Sequence, residues 1–368
     1  MKKIVFTLSL LVIVSCSVFA QTDPVKIGVI GLTHTHVHWV FNSNQFEDFE
    51  IVGIVEPNKE LAQRYADQYQ FSMDMVYESL DELIKIKSPE AVTAFGTIYD
   101  HLNIVETCAP KGIHVMVEKP LAVSLEHAMK MKTIANKHQI HLLTNYETTW
   151  YPTNHKIYNL IKQDTLIGNL RKVIVRDGHK GPKKIGVDKE FLEWLTDPIL
   201  NGGGAIMDFG CYGANLLTWI TNGQRPNSVT AITMQQQPQN NPKVDDEAII
   251  LLTYDKMVAV IQASWNWPIG RKDMEVYGLK GVLYADNRND MRIRIGLGYD
   301  DYKEERMTLE ELKSPNNDPF VYFASVIKGK TKVAKYDLSS LDNNILVMEI
   351  LDAAIRSAKR NQTIFLKH

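Results

Sequence analysis

The chain has 368 residues, 45% of them hydrophobic, and a formal charge of −2 at pH 7. That balance, without long basic or acidic blocks, excludes nucleic acid and a charged membrane face as expected partners and favours small neutral ligands. Beyond residue 20 the cysteines are Cys108 and Cys211, which make no zinc pattern and need not form a disulfide.

The N-terminus reads as a signal peptide over residues 1–20. Lys2 and Lys3 precede the apolar run Ile4 to Val14, and small residues lead to Ala20. The run is too short to span a membrane as a helix. Ser15-Cys16 after Ile13-Val14 also fits a lipoprotein cleavage box with Cys16 as the lipidated residue. Export is therefore expected, either to the periplasm or to an anchor at Cys16. No later segment reads as transmembrane, and at about 150 residues per domain the remainder implies two domains.

Residues 24–147 alternate short apolar runs with helical patterns, the rhythm of a doubly wound parallel sheet with crossover helices. The expected strands are Lys26–Gly31, Glu50–Val55, Ala91–Phe95, His114–Val117 and His141–Asn145, and Ser124 is expected to cap a helix carrying Leu125, Ala128, Met131 and Ala135. Over 148–368 the rhythm changes. Runs at Arg171–Arg176, Ser228–Gln235, Ala248–Tyr254, Met257–Ser264, Met274–Leu279 and Met291–Ile295 predict a large, mainly antiparallel sheet. A helix is expected from about Ile206 to Thr221, and an amphipathic one carries Leu341, Ile345, Met348, Leu351 and Ile355. The expected class is α/β, a Rossmann domain followed by an α+β domain.

Three stretches carry the chemistry. In "VKIGVIGLTHTHVHWVF" the three positions of a dinucleotide turn read Gly31, Thr33 and His36, so only the first matches. A helix follows directly, and Glu56 ends the next strand where a ribose acceptor belongs, which favours NAD over NADP. His34 and His38, four apart, fit one face of a helix as zinc ligands do, but no third ligand has an identifiable spacing, and no metal is expected. Thr33 and His34 at a helix N-terminus can instead face phosphate or sugar, or the histidines can simply be satisfied at a crevice.

In "HVMVEKPLAVS" a buried strand delivers Glu118 and Lys119 to the carboxyl edge of the sheet, where open α/β folds bind ligands. A lysine there can donate to a carbonyl oxygen as hydride reaches its carbon. In "NGGGAIMDFGCYGANLLTW" Asp208 and Tyr212 stand four apart on one helix face. A phenol beside a lysine is expected to have its ionised form favoured. The alternatives are a solvated strand end for Lys119, a cap for Asp208 and a core position for Tyr212.

Together these motifs resemble the glucose-fructose oxidoreductase, inositol dehydrogenase and rhizopine catabolism family (Gfo/Idh/MocA). The resemblance runs from Gly28–Gly31 through Glu56, His101 and Glu118-Lys119-Pro120 to the Gly-Gly-Gly and Asp208 segment. It implies an NAD(P)-binding Rossmann domain, a second domain whose sheet often makes a homo-oligomer, and hydride transfer on sugars or polyols. By position it makes Lys119 the catalytic lysine, Asp208 the acid of the second motif and Tyr212 the proton donor or acceptor. With Thr33 and His34 from the turn itself, Gly31, Glu56, His101 and Glu118 complete the expected cofactor contacts. Many members carry His and Asp where this chain has Tyr212 and Asn215, so it is similar to the tyrosine branch, which includes dihydrodiol and xylose dehydrogenases. Three functions follow as expectations: a nicotinamide-dependent oxidoreductase on a sugar or glycoside ring carbon, a glycosidase working by transient oxidation and elimination, or a retired sugar-binding scaffold.

Overall fold

The computed structural model describes residues 23–43, 47–163 and 166–366. The expected signal peptide and Cys16 lie outside the described residues. The first sheet has six parallel strands, β1 (Val25–Ile30), β2 (Phe49–Val55), β3 (Val76–Tyr77), β4 (Ala91–Ala94), β5 (His114–Glu118) and β6 (Leu142–Asn145), in the order 3-2-1-4-5-6. All five expected strands are present within a residue or two. The two-residue β3 is too short to leave a periodic signal.

Strand β1 is buried at every position except Lys26, as a central strand covered on both faces must be. Order reverses between β1 and β4, so a crevice opens beyond their carboxyl ends. Ser124 does cap its helix, Leu125–His138, its hydroxyl accepting the His127 N–H at 3.2 Å. The helix Pro319–Ile327, far along the chain, returns to the first sheet, where Phe320 packs near Phe49 and Phe95.

The second sheet has nine strands: β7 (Leu170–Gly178), β8 (Ser228–Met234), β9 (Glu247–Thr253), β10 (Val258–Ser264), β11 (Arg271–Gly278), β12 (Gly281–Ala285), β13 (Asp290–Gly296), β14 (Tyr302–Thr308) and β15 (Ile364–Phe365). Their order is 14-13-12-11-7-10-9-8-15, antiparallel except for β7 beside β10. One face is covered by the helices Gly210–Ile220 and Leu341–Arg360, whose apolar residues join one core. The expected helix 206–221 is two pieces, Ala205–Asp208 and Gly210–Ile220. Among the described residues no helix is long and apolar enough to cross a membrane. Cys108 and Cys211 are free and buried.

Candidate active site

The crevice begins at Gly31. Its φ of +80° is a left-handed conformation that suits glycine, and a Cβ there would stand 2.7 Å from the Gly96 nitrogen. Two backbones thus cross at the ends of β1 and β4, leaving beside them a cavity of about 410 Å³ bordered by Gly31, Thr33, Glu56, Thr97, Asp100 and Trp194. Glu56 ends β2 as expected and is 4% exposed. Its carboxylate accepts the Leu32 and Asn58 N–H groups, both at 2.9 Å, so it braces the turn it faces.

A second cavity, of about 440 Å³, lies on the other side of the turn. It brings together His34, Lys119, Asp208 and Tyr212. Lys119 leaves the end of β5, and its ammonium meets Asp208 Oδ1 at 2.5 Å. The other oxygen of Asp208 accepts the Trp265 indole N–H at 2.9 Å. Burial works against charge on Lys119, but Asp208 outweighs it and holds the lysine above its ordinary pKa. Burial likewise opposes ionisation of Asp208, and Lys119 in turn holds that carboxyl below the usual range. The pair is ionised because each partner compensates the other.

The glycine run places Asp208. A Cβ on Gly204 would come within 1.8 Å of the Asp245 carbonyl, so only glycine lets the two backbones touch. The Asp245 carboxylate then accepts the Gly204 and Ile206 N–H groups at 2.9 and 2.8 Å, anchoring the first turn of Ala205–Asp208.

Tyr212 departs from expectation. Lys119 lies 5.3 Å from the centre of its ring, and the lysine's charge is directed to Asp208. Burial raises the phenol well above its ordinary pKa, and Glu147, Cys211 and Asp208 push the same way. The ionised phenol inferred from a neighbouring lysine is therefore disfavoured; Tyr212 is a neutral hydroxyl.

The histidines also separate. The helix after the turn begins at Val37, so His34 precedes it and shares no helix face with His38. His38 bonds Tyr69 and stacks on Tyr65. His34 is 2% exposed, receives the His36 N–H on Nδ1 at 3.0 Å and packs against Phe191. Its burial lowers its pKa well below the ordinary value. His36 Nδ1 meets Glu118 Oε2 at 2.8 Å, and Glu118 Oε1 accepts from Asn145 at 2.6 Å. Glu118 and His101 border neither cavity. His101 is fully buried with Nδ1 on the Leu121 carbonyl at 3.1 Å.

Several residues on the cavities left no signal in the sequence reading. Lys272, on β11, pairs with Glu147 at 2.8 Å and lies 5.6 Å from the Tyr212 ring centre. His179 follows β7 and meets the edge of Phe209. The helix Lys189–Leu195 lies across the turn, where Trp194 donates its indole N–H to Thr33 Oγ1 at 3.0 Å and Glu190 pairs with Arg64. It stands between the two cavities, Trp194 bordering one and Phe191 the other.

Residues 25–146 match a family model described as an oxidoreductase family with an NAD-binding Rossmann fold, and residues 156–284 match the GFO/IDH/MocA C-terminal domain. The chain belongs to the GFO/IDH/MocA oxidoreductase family. As a GFO/IDH/MocA member it is an NAD(P)-dependent oxidoreductase with the two-part α/β fold expected. It is 26% identical over 240 residues, 64% of this chain and 67% of the relative, to trans-1,2-dihydrobenzene-1,2-diol dehydrogenase of Xenopus tropicalis. It is 25% identical over 217 residues, 57% of this chain and 63% of the relative, to the rhizopine catabolism protein MocA of Rhizobium meliloti. The GFO/IDH/MocA fold recurs in aldose-aldose oxidoreductase from Caulobacter crescentus, with TM-score 0.76 and 20% identity over 93% of this chain and 100% of that one. An inositol dehydrogenase homolog from Azotobacter vinelandii, solved with NAD+, gives TM-score 0.79 and 15% identity over 94% and 98%.

Proposed function

We propose that the protein transfers hydride between a nicotinamide dinucleotide and a ring carbon of a sugar or glycoside. The observation that carries this reading is the buried Lys119–Asp208 pair at the end of β5, beside Tyr212 and a cavity large enough for a monosaccharide ring. A retired binding scaffold has no need to keep two buried charges compensated. The residues suit a dinucleotide: glycine at the Gly31–Gly96 crossing leaves room for close backbone approach, and Glu56 borders the cavity beside it. Gly31, Thr33 and Glu56 would hold the adenosine end, and Lys119 the end facing substrate. When bound, the nicotinamide supplies the hydride acceptor or donor.

The proton is the task of this chain's own groups. In reduction, the Lys119 ammonium donates to the carbonyl oxygen of substrate, and the neutral Tyr212 hydroxyl donates a hydrogen bond to the same oxygen. Oxidation is the reverse: Lys119, having lost its proton to solvent, takes the one leaving the substrate hydroxyl, and Asp208 stabilises the ammonium that re-forms. A screen of aldoses, polyols and glycosides, read as change in nicotinamide absorbance, tests the assignment. Free aglycone released without net change of cofactor would favour the elimination chemistry instead.

NAD(H) is the proposed form. Glu56 places a carboxylate where a 2′-phosphate would be repelled and a 2′-hydroxyl accepted. Calorimetric titration should therefore give tighter binding of NAD than of NADP, and Glu56→Gln should narrow the gap; equal or tighter NADP binding refutes the preference.

The same proposal includes export of the chain and self-association through the second sheet. Its uncovered face exposes Ile232, Ile249, Leu251 and Val258 on β8, β9 and β10. Contiguous apolar surface of this kind commonly marks an interface, and light scattering on the mature chain gives its stoichiometry.

A further inference from the structure

We propose that His34, His36 and Glu118 form a binding site for one divalent transition-metal ion, opening into the cavity that holds Lys119 and Tyr212. One ligand atom from each of the three residues lies within 4.8 Å of the others. Two imidazoles and one carboxylate form a donor set suited to zinc, cobalt or other first-row divalent ions rather than to magnesium or calcium, which favour all-oxygen shells.

The site arises from the departure of the turn from a glycine pattern. His34 and His36 lie in the turn between β1 and the helix at Val37, and Glu118, at the end of β5 two strands away, meets the second histidine there. Supports surround the three ligands. Glu118 is oriented by Asn145, whose own carbonyl accepts the Trp150 indole N–H at 2.9 Å. Such outer partners fix the geometry of metal ligands in built sites. His34 packs against both Phe191 and Trp194, which hold its ring in place. Three protein ligands leave coordination positions free, as a site that also binds water or substrate oxygen needs. Lys119 does not oppose the ion with a bare charge, because Asp208 neutralises it.

Binding has a cost that bounds the affinity. Ligand bonds of about 2.0–2.2 Å set ligand atoms roughly 3.3 Å apart around a tetrahedral ion, so the histidines must draw in. The hydrogen bond between His36 and Glu118 must be given up, and the His36 N–H must give up His34 Nδ1 if the ion takes that nitrogen. Affinity well below that of a structural zinc site follows.

The test uses untagged full-length protein treated with chelator and measures binding without turnover, so it is independent of the hydride-transfer reading. Zinc is titrated by calorimetry and cobalt by its visible absorption. The expected result is one ion per chain, a cobalt spectrum indicating nitrogen ligation, and affinity reduced about tenfold or more by His36→Ala and by Glu118→Gln. Glutamine keeps the shape of Glu118 and an acceptor for Asn145 while removing its charge, which guards against mere misfolding. His38→Ala should leave affinity unchanged, since His38 is turned to Tyr69. Absence of saturable binding of either ion up to about 1 mM, a free energy of only about 4 kcal/mol, would overturn the proposal. So would binding that survives both His36→Ala and Glu118→Gln.

Discussion

Lys119→Ala and Tyr212→Phe are each expected to lower turnover by a factor of roughly 10² to 10⁴, the range for losing a positioned proton donor, while cofactor affinity changes little. Each of the two groups directs its proton into the same cavity. Lys119 has an ammonium held charged by Asp208 at the edge of the substrate cavity, and Tyr212 has a hydroxyl that burial keeps neutral. Removing one partner of a buried ion pair costs about 3–5 kcal/mol, so Lys119→Ala must be accompanied by its melting temperature and its NAD affinity. Tyr212→Phe has no such complication, because only the hydroxyl is lost. Near wild-type turnover in a folded variant of either kind would remove that residue from the proton path.

The second large effect concerns cofactor retention. A dinucleotide lying between the cavity at Glu56 and the cavity at Lys119 must pass the turn at Thr33 and His34, and the helix Lys189–Leu195 covers that turn. The Trp194 bond to Thr33, the Phe191 contact with His34 and the Arg64–Glu190 pair hold the helix down. Export, as proposed, would require the chain to load its cofactor outside, in a compartment with little free dinucleotide. Retaining NAD(H) and resetting it within the cycle, by a second sugar or by the product itself, suits that setting. Protein loaded with NAD and passed through gel filtration should therefore turn over with no cofactor added. Trp194→Ala forfeits a hydrogen bond of about 1 kcal/mol together with the ring's packing, so release should quicken by about tenfold or more. Activity that vanishes on filtration and returns in proportion to added NAD would identify an ordinary exchanging dehydrogenase.

Periodicity and local motif were sufficient for much of the architecture. Central strands such as Val25–Ile30 are apolar on both faces and bounded by glycine, and Ser124 announces its helix by capping chemistry, so these elements follow from composition within a few residues. Lys119 and Asp208 were legible for the same reason: each closes a distinctive local pattern, and the short helix after the glycine run owes its start to backbone contacts only glycine permits. Contacts between segments distant in sequence leave no such trace. The Lys272–Glu147 pair, the return of Phe320 to the first sheet and the seating of Trp194 on Thr33 depend on how the elements dock. The ionisation of Tyr212 depends on it as well. Spacing places the phenol near a lysine, but burial and the competing carboxylate decide its charge, and both are properties of the assembled fold. For the three histidines, sequence determined the residue types and their order; the start of the helix at Val37 decided that His34 meets His36 and Glu118 while His38 turns away, because side-chain direction is set by backbone conformation rather than by spacing alone.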